Sequence, residues 1–170
     1  DADGTLFNFH AGEKIALTAA LAAFGLPAYG ATVALYSRIN LGHWKRLERG
    51  ETTQEKLKVE RFADFLAALE EQGRPVPAAA PQALADRFVT ELGRQHVPMD
   101  GAEAFLIRVS AVMPVYLVTN GIAKVQRSRF ENSPLRKYLA DLLISEEQGH
   151  FKPDPFMALE ALRRANVTDK

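Results

Sequence analysis

The sequence has 170 residues, with 21 Lys and Arg, 21 Asp and Glu, four His and no Cys. The lack of Cys excludes disulfides, thiolate zinc sites and Cys nucleophiles. Because the net charge is zero, the chain has no excess of basic residues to attract nucleic-acid polymers. No run reaches the roughly 18 apolar residues of a membrane span, and the residues from Asp1 to Gly4 are unlike a signal peptide. We therefore expect a globular, cytoplasmic protein that binds neither nucleic-acid polymers nor membranes.

From about Gly12 to Gln95 the signals are almost wholly helical. Apolar residues recur at helical spacing in four stretches, which Gly or Pro residues separate. Before the third stretch, Thr52-Thr53-Gln54-Glu55 predicts a capping box in which the Thr52 hydroxyl accepts the amide of Glu55. We expect a bundle of about four helices without a strand. The stretches contain Ile15, Leu17, Leu21 and Phe24; the run from Val33 to Arg49; Leu57, Phe62, Phe65, Leu66 and Leu69; and Leu84, Phe88, Val89 and Leu92.

From Asp100 onward, short apolar runs typical of buried strands alternate with helical stretches. Such alternation indicates a parallel sheet with right-handed crossovers. We therefore predict an α/β core formed by residues 1–8 and 98–170, with a helical insert over residues 9–97. The predicted strands are 115–118 and 141–145, and the predicted helices are 102–112, 121–130 and 155–165.

Two acidic residues, Asp1 and Asp3, stand at the start of the chain and are followed by Gly4 and Thr5. At the end of an extended segment, carboxylates at i and i+2 can point into one crevice while glycine permits a sharp exit. One carboxylate can then act as nucleophile or metal ligand and the other as proton shuttle. The alternative is an acidic, disordered terminus with a turn.

Two later segments are candidates for binding a phosphate group. Thr119 follows a predicted strand, and its hydroxyl with the amides of Asn120 and Gly121 would form an anion site at a helix N-terminus. Lys152 precedes Pro153 in a loop after the second strand, where its ammonium can face a dianion. Each has a simpler alternative, because Thr119 can serve as a helix cap and Lys152 as a solvated side chain.

Taken together and in this order, the segments DADGTLF, LVTNG and HFKPDP resemble motifs I, II and III of the haloacid dehalogenase (HAD) superfamily. The resemblance spans the whole chain. It implies a Rossmann-like, doubly wound parallel-sheet core with a helical C1-type cap inserted after motif I, which agrees with the helical insert. The TNG and SEExGxxKPDP segments are most similar to the branch of 5′-nucleotidases and small-metabolite phosphatases.

The resemblance also implies a role for each motif residue. Asp1 would attack phosphorus and form an aspartyl-phosphate, while Asp3 would protonate the leaving group and later deprotonate water. Because a halide needs no proton, an Asp at position 3 favours phosphoryl transfer over dehalogenation. Thr119, the Asn120 amide and Lys152 would neutralise the oxygens of the transferred group.

Magnesium is the cofactor that the resemblance implies. Its ligands would be the Asp1 carboxylate, the Asp3 backbone carbonyl and an acidic residue of motif IV that is not in this sequence. We do not assign Glu146, Glu147 or Asp154 to this third position. By the same resemblance, we expect the sequence to omit one core strand before Asp1 and at least two after Lys170, and we expect these residues alone not to turn over substrate.

Substrate selection would belong to the insert and its hinge. The candidates are His10, Trp44 and Arg61, although aromatic residues at helical spacing usually build cores, so that Trp44 can instead pack inside the bundle. We predict a Mg²⁺-dependent phosphomonoesterase, monomeric or homodimeric, that acts on a small phosphorylated metabolite such as a 5′-nucleotide. The alternatives are a phosphomutase with the same three motifs, or a truncated, non-catalytic binding module.

Overall fold

The computed structural model describes residues 1–76 and 81–167. The chain divides into two compact units, which we call the core unit (residues 1–13 and 93–170) and the helical unit (residues 14–92). This division places the boundaries a few residues inside those predicted from the sequence, near Asn8 and Val97. That the helical unit is a cap stays a prediction.

Four helices account for the first half of the described chain: α1 (Phe9–Ala23), α2 (Gly30–Glu48), α3 (Gln54–Glu71) and α4 (Pro81–Gly93). The predicted apolar faces of α3 and α4 are confirmed, since every residue named for them is buried. On α1 the prediction for Ile15 is wrong, because this side chain is 47% exposed while Ala16, Leu17, Ala20 and Leu21 form the buried face.

The start of α3 differs from the predicted capping box. Thr53, and not Thr52, is the N-cap, and its hydroxyl accepts the amide of Lys56 at 3.4 Å. The helix therefore begins one residue later than the pattern suggested. Either threonine is a favoured N-cap residue, but only Thr52 has a Glu three residues later, so the capping-box pattern pointed to the wrong one of the two.

The α/β fold class with parallel strand pairing is confirmed. Strands β1 (Tyr116–Thr119) and β2 (Asp141–Ile144) pair in parallel, with Tyr116 opposite Asp141 and Thr119 opposite Ile144. They are the two strands of the one sheet in the described residues. The remaining elements of the core unit are helices α5 (Ala102–Ser110), α6 (Ala123–Asn132), α7 (Ser145–Gln148) and α8 (Phe156–Arg164), and a 3-10 helix over Pro134–Tyr138.

The core unit has its own apolar core beneath the sheet. Leu117 on β1 and Leu142 and Ile144 on β2 pack with Phe130 of α6 and Leu106 of α5. The motif I residues Ala2, Leu6 and Phe7 belong to the same cluster, so the acidic segment is anchored by its apolar neighbours.

In the part of the chain described here, no helix combines the length and apolar character that crossing a membrane requires.

Candidate functional site

The segment that carries Asp1 and Asp3 is a tight turn. The amides of Leu6 and Phe7 both donate to the Ala2 carbonyl at 2.9 Å, and Gly4 adopts a φ of +75°, which a residue with a Cβ rarely takes. In place of the expected strand end, the segment forms only isolated bridges, from Asp3 to Phe7 and from Phe7 to Pro98. The turn also pairs the Gly4 amide with the Phe7 carbonyl at 2.9 Å, while the Asp3 carbonyl is left outside this pattern.

Lys152 contacts the first acidic residue directly. Its ammonium lies 2.9 Å from Asp1 Oδ1 and donates to the Val118 carbonyl at 3.0 Å. Partial burial lowers the pKa of Lys152, and the nearby Asp3 carboxylate offsets part of that effect. Motifs I and III, which are 151 positions apart, therefore meet at the carboxyl end of β1, where β-strand ends commonly place ligand sites.

The Asn120 side chain fixes the backbone of Lys152. Its Oδ1 accepts the Lys152 amide at 2.8 Å, and its Nδ2 donates to the Lys152 carbonyl at 2.9 Å. The Ser145 hydroxyl lies within hydrogen-bonding distance of Asn120 Oδ1 and is 2.9 Å from the Thr119 carbonyl. Asn120 thus connects motif II to motif III through its side chain, a role that sequence reasoning missed because it considered only the backbone amide.

Thr119 is buried, and its hydroxyl oxygen accepts the Gly121 amide at 3.1 Å. The hydroxyl hydrogen remains available as a donor. The expectation that the Gly121 amide lies at a helix N-terminus is wrong, because Ile122 is extended and α6 begins at Ala123. The first amide of α6 donates instead to Glu146 Oε2 at 2.6 Å.

Asp3 is held by two residues of α6 that the sequence analysis did not identify. Arg129 Nη1 donates to Asp3 Oδ1 at 2.5 Å, and Gln126 Nε2 donates to Asp3 Oδ2 at 2.8 Å. A signal was present, because Gln126 and Arg129 fall on the same helical face as the apolar Val125 and Phe130. Polar side chains on the buried face of a helix need partners, which makes them candidates for a site.

Gly121 of motif II allows Gln126 to reach Asp3. A Cβ on residue 121 would lie 2.3 Å from Gln126 Nε2 and 2.9 Å from its Cδ and Cγ, so the whole side chain would have to move. We expect Gly121→Ala to lower the free energy of unfolding by about 1–3 kcal/mol, as overpacked sites do. Urea denaturation measures this cost.

Two further variants check the reason for that cost. In a Gln126→Ala background the clash is removed, so adding Gly121→Ala should cost less than about 0.5 kcal/mol. Gly42→Ala is the matched control, because Gly42 lies in α2 with nothing within 4 Å of the added Cβ. An equal cost of Gly121→Ala in both backgrounds would contradict the explanation.

Two oxygen atoms of motif I fit part of a magnesium site. Asp1 Oδ2 and the Asp3 carbonyl accept no hydrogen bond within residues 1–76 and 81–167, and both are hard oxygen ligands of the kind Mg²⁺ prefers. Across the same residues, no group of three or more His, Asp or Glu side chains could hold a metal. The described chain therefore offers a partial ligand set.

The acidic residues that we left unassigned have other partners. Glu146 accepts the first amide of α6, and Glu147 pairs with Arg127 at 2.5 Å. Asp154 pairs with His150 at 2.8 Å and accepts the Phe156 amide, and these contacts lower the pKa of its carboxyl group.

The three candidate substrate residues differ in their surroundings. His10 is exposed, and its ring lies edge-on to the Phe9 ring with 6.0 Å between the ring centres. Trp44 is half-buried. Arg61 is 1% exposed, donates to Asn40 at 2.9 Å and lies over the Phe62 and Phe88 rings. Their roles in substrate binding stay predictions.

A family model described as haloacid dehalogenase-like hydrolase matches residues 1–170, the whole chain. The chain belongs to the HAD-like hydrolases. Among curated HAD relatives, the HAD-hydrolase YfnB of Bacillus subtilis is 31% identical over 153 residues, covering 90% of this chain and 63% of YfnB. The resemblance of motifs I to III is thereby confirmed at the level of the family.

Two other curated relatives are pyrimidine 5′-nucleotidases. PynA of Streptococcus pneumoniae is 31% identical over 157 residues, covering 91% of this chain and 63% of PynA. YjjG of Escherichia coli is 26% identical over 170 residues and covers all of this chain and 71% of YjjG. This HAD chain spans 63% of the length of YfnB and of PynA.

Solved HAD structures share the fold. A magnesium-bound crystal structure of B. subtilis YfnB superposes with a TM-score of 0.83 at 28% identity, covering 98% of this chain and 72% of YfnB. L-2-haloacid dehalogenase from Xanthobacter autotrophicus matches with a TM-score of 0.65 at 19% identity, covering 100% of this chain and 64% of the dehalogenase. At that identity the dehalogenase shows the common fold alone.

Proposed function

We propose that the protein is a Mg²⁺-dependent phosphomonoester hydrolase that acts through an aspartyl-phosphate on Asp1. The observation that carries the proposal is the contact of Asp1 with Lys152 at the carboxyl end of β1, where Thr119 and Asn120 also lie. A carboxylate nucleophile beside a cation and a hydroxyl donor is the arrangement that phosphoryl transfer needs.

In the proposed reaction, Asp1 forms a bond to phosphorus while the bond from phosphorus to the ester oxygen breaks. Asp3 gives its proton to the leaving alkoxide, which departs as the alcohol. Asp3, now a carboxylate, takes a proton from a water molecule that attacks the aspartyl-phosphate. Inorganic phosphate leaves, Asp1 is restored, and Asp3 is protonated again.

Lys152 and Thr119 are proposed to stabilise the charge on the transferred group. The Lys152 ammonium is held by the Val118 carbonyl, and its backbone is fixed by Asn120, so the cation needs no reorganisation during the reaction. The Thr119 hydroxyl accepts from Gly121, which leaves its hydrogen to donate to a phosphoryl oxygen.

A bound Mg²⁺ would neutralise phosphoryl oxygens and orient them for attack. We propose that the Asp1 carboxylate and the Asp3 backbone carbonyl hold it. Mg²⁺ commonly takes only one or two protein carboxylates and completes its octahedron with water and substrate phosphate, which suits this partial set.

We propose a nucleoside 5′-monophosphate as substrate, because PynA and YjjG are pyrimidine 5′-nucleotidases. The likeness to dehalogenases is one of fold, and Asp3 supplies a proton that a halide would not need. We further propose that the helical unit is a cap contributing Trp44 and Arg61, that His10 lies at its hinge, and that the protein is a cytoplasmic monomer or homodimer.

The test is phosphate release by the protein in its full natural length. We expect release from nucleoside 5′-monophosphates or another small phosphomonoester with Mg²⁺, and loss of release when the metal is removed with EDTA. No release from any ester would refute the proposal and favour the non-catalytic module. Phosphate that moves to another position of a sugar, without release, would instead indicate a phosphomutase.

A further inference from the structure

We propose that Arg129 and Gln126 form an orienting pair that sets the direction of the Asp3 carboxylate for proton transfer. The inference rests on the proposed function, in which Asp3 acts as general acid and base. Neither residue belongs to motifs I to III, and we regard both as positioning residues.

The geometry defines the plane of the carboxylate. Arg129 donates to Oδ1 at 2.5 Å and Gln126 donates to Oδ2 at 2.8 Å, so each oxygen has its own fixed donor. A carboxylate held by a single donor can rotate about the Cβ–Cγ bond, whereas two donors on different oxygens prevent that rotation. The two donors stand at i and i+3 on α6, which places them on one face of the helix.

The pair is itself held rigidly. The Arg129 side chain is 1% exposed, donates through Nε to the Gln95 carbonyl at 2.7 Å and lies 4.6 Å from the centre of the Phe7 ring. Gln126 is 2% exposed and passes directly over Gly121. Donors confined by contacts, as Arg129 is, or by close packing, as Gln126 is, lose little conformational entropy when they bind, so they can fix a partner closely.

Asp3 keeps the capacity to exchange a proton. Each carboxylate oxygen has two lone pairs, and Arg129 and Gln126 occupy one on each. The Asp3 side chain is 29% exposed, so its remaining lone pairs are within reach of solvent or a bound ester. Because proton transfer requires heavy atoms about 2.6–3.2 Å apart, a carboxylate free to turn would spend much of its time misaligned.

The dependence of rate on the leaving group separates this role from a merely structural one. An alkyl phosphate, such as a nucleoside 5′-monophosphate, needs a proton from Asp3 to release its alcohol. 4-Nitrophenyl phosphate does not, because 4-nitrophenolate is a stable anion. A misdirected Asp3 should therefore lower kcat/KM for the alkyl ester selectively, since kcat/KM reports the step in which the leaving group departs.

The variants are Arg129→Met, which keeps an apolar chain over Phe7, and Gln126→Leu, which keeps the volume of Gln126. Arg127→Met is the matched control, because Arg127 is the neighbouring arginine of α6 and pairs with Glu147 at the surface. All are made in the protein in its full natural length, with melting temperatures recorded. Gln126→Leu carries the test if Arg129→Met does not fold.

We expect Arg129→Met to lower kcat/KM for the alkyl ester by about 10²-fold, the size of effect that misplacing a catalytic group produces. The value for 4-nitrophenyl phosphate should fall by less than about tenfold, and Gln126→Leu should show the same selectivity with a smaller loss. The first turnover of 4-nitrophenyl phosphate should appear as a burst, because hydrolysis of the aspartyl-phosphate still needs Asp3. Arg127→Met should match the wild type.

Equal losses on both esters in the folded variants, or no loss on either, would overturn the orienting pair while leaving the proposed function intact. A wild-type protein that releases phosphate from no phosphomonoester would overturn the proposed function, and with it the proposed role of Arg129 and Gln126 in catalysis. The two failures are therefore distinguishable.

Discussion

Asp1→Asn is expected to lower kcat for phosphate release by about 10⁴-fold or more. Removal of a covalent nucleophile produces losses of this order, because an amide oxygen at Asp1 cannot form the acyl phosphate. The measurement is phosphate release under single-turnover and steady-state conditions with the protein in its full natural length. Acid-quenched wild-type protein should carry labelled phosphate from the substrate, and the variant should carry none.

The stability of Asp1→Asn should change little, which keeps the test clear. The Asp1 and Lys152 side chains are 47% and 31% exposed, and ion pairs that solvent reaches contribute about 0–1 kcal/mol. Asp154→Asn is the matched control, because Asp154 is an exposed acid two residues from Lys152 that pairs with His150. Phosphate release by Asp1→Asn at the rate of that control would show that Asp1 is not the nucleophile.

Asp3→Ala is expected to lower the free energy of unfolding by about 3 kcal/mol. Replacing an acidic residue on the surface would lower it by less. Its carboxylate is the charge partner of Arg129, whose guanidinium is buried. Removing one member of a buried pair leaves an uncompensated charge, at a cost of about 3–5 kcal/mol. The lower end applies, because Arg129 keeps the Gln95 carbonyl and the Phe7 ring.

Urea denaturation measures this effect, and a double variant identifies its cause. Asp3→Ala/Arg129→Met removes both charges, so it should recover most of the stability that Asp3→Ala loses. Asp3→Asn should cost less than Asp3→Ala, because its amide oxygen still accepts from one donor. A loss below about 1 kcal/mol for Asp3→Ala would mean that solvent compensates Arg129. For kinetic work, Asp3→Asn is therefore the variant that removes the carboxyl proton with the smaller loss of stability.

The sequence was sufficient for the fold class and for most helices. Periodic apolar residues located α3 and α4, because burial of one face is a local property that repeats every turn. Strands β1 and β2 were located within one residue, because short apolar runs rich in β-branched and aliphatic residues stand between turns. The short helix α7 and the 3-10 helix over Pro134–Tyr138 were missed, since neither is long enough to show a period.

The contacts within the candidate site were beyond sequence reasoning. Asp3 and Arg129 are 126 positions apart, and nothing in either local pattern couples them. The start of α6 was placed too early because a Gly after Asn looked like a helix start, while Thr119 binds the Gly121 amide and Ile122 stays extended. Local signals therefore identified the motif residues, and packing decided which atoms they use.

The side chain of Asn120 has a consequence for how the protein tolerates change. Its carboxamide has the same donor and acceptor as a peptide group, and it binds the amide and carbonyl of Lys152 as a neighbouring strand would. The position of Lys152 is thus set by its hydrogen bonds to Asn120 at the end of β1. It does not depend on the length of the chain between Asn120 and Lys152. Insertions in the exposed turns of that intervening segment should preserve the geometry at Lys152, which makes those turns sites for engineered extensions or split-protein junctions.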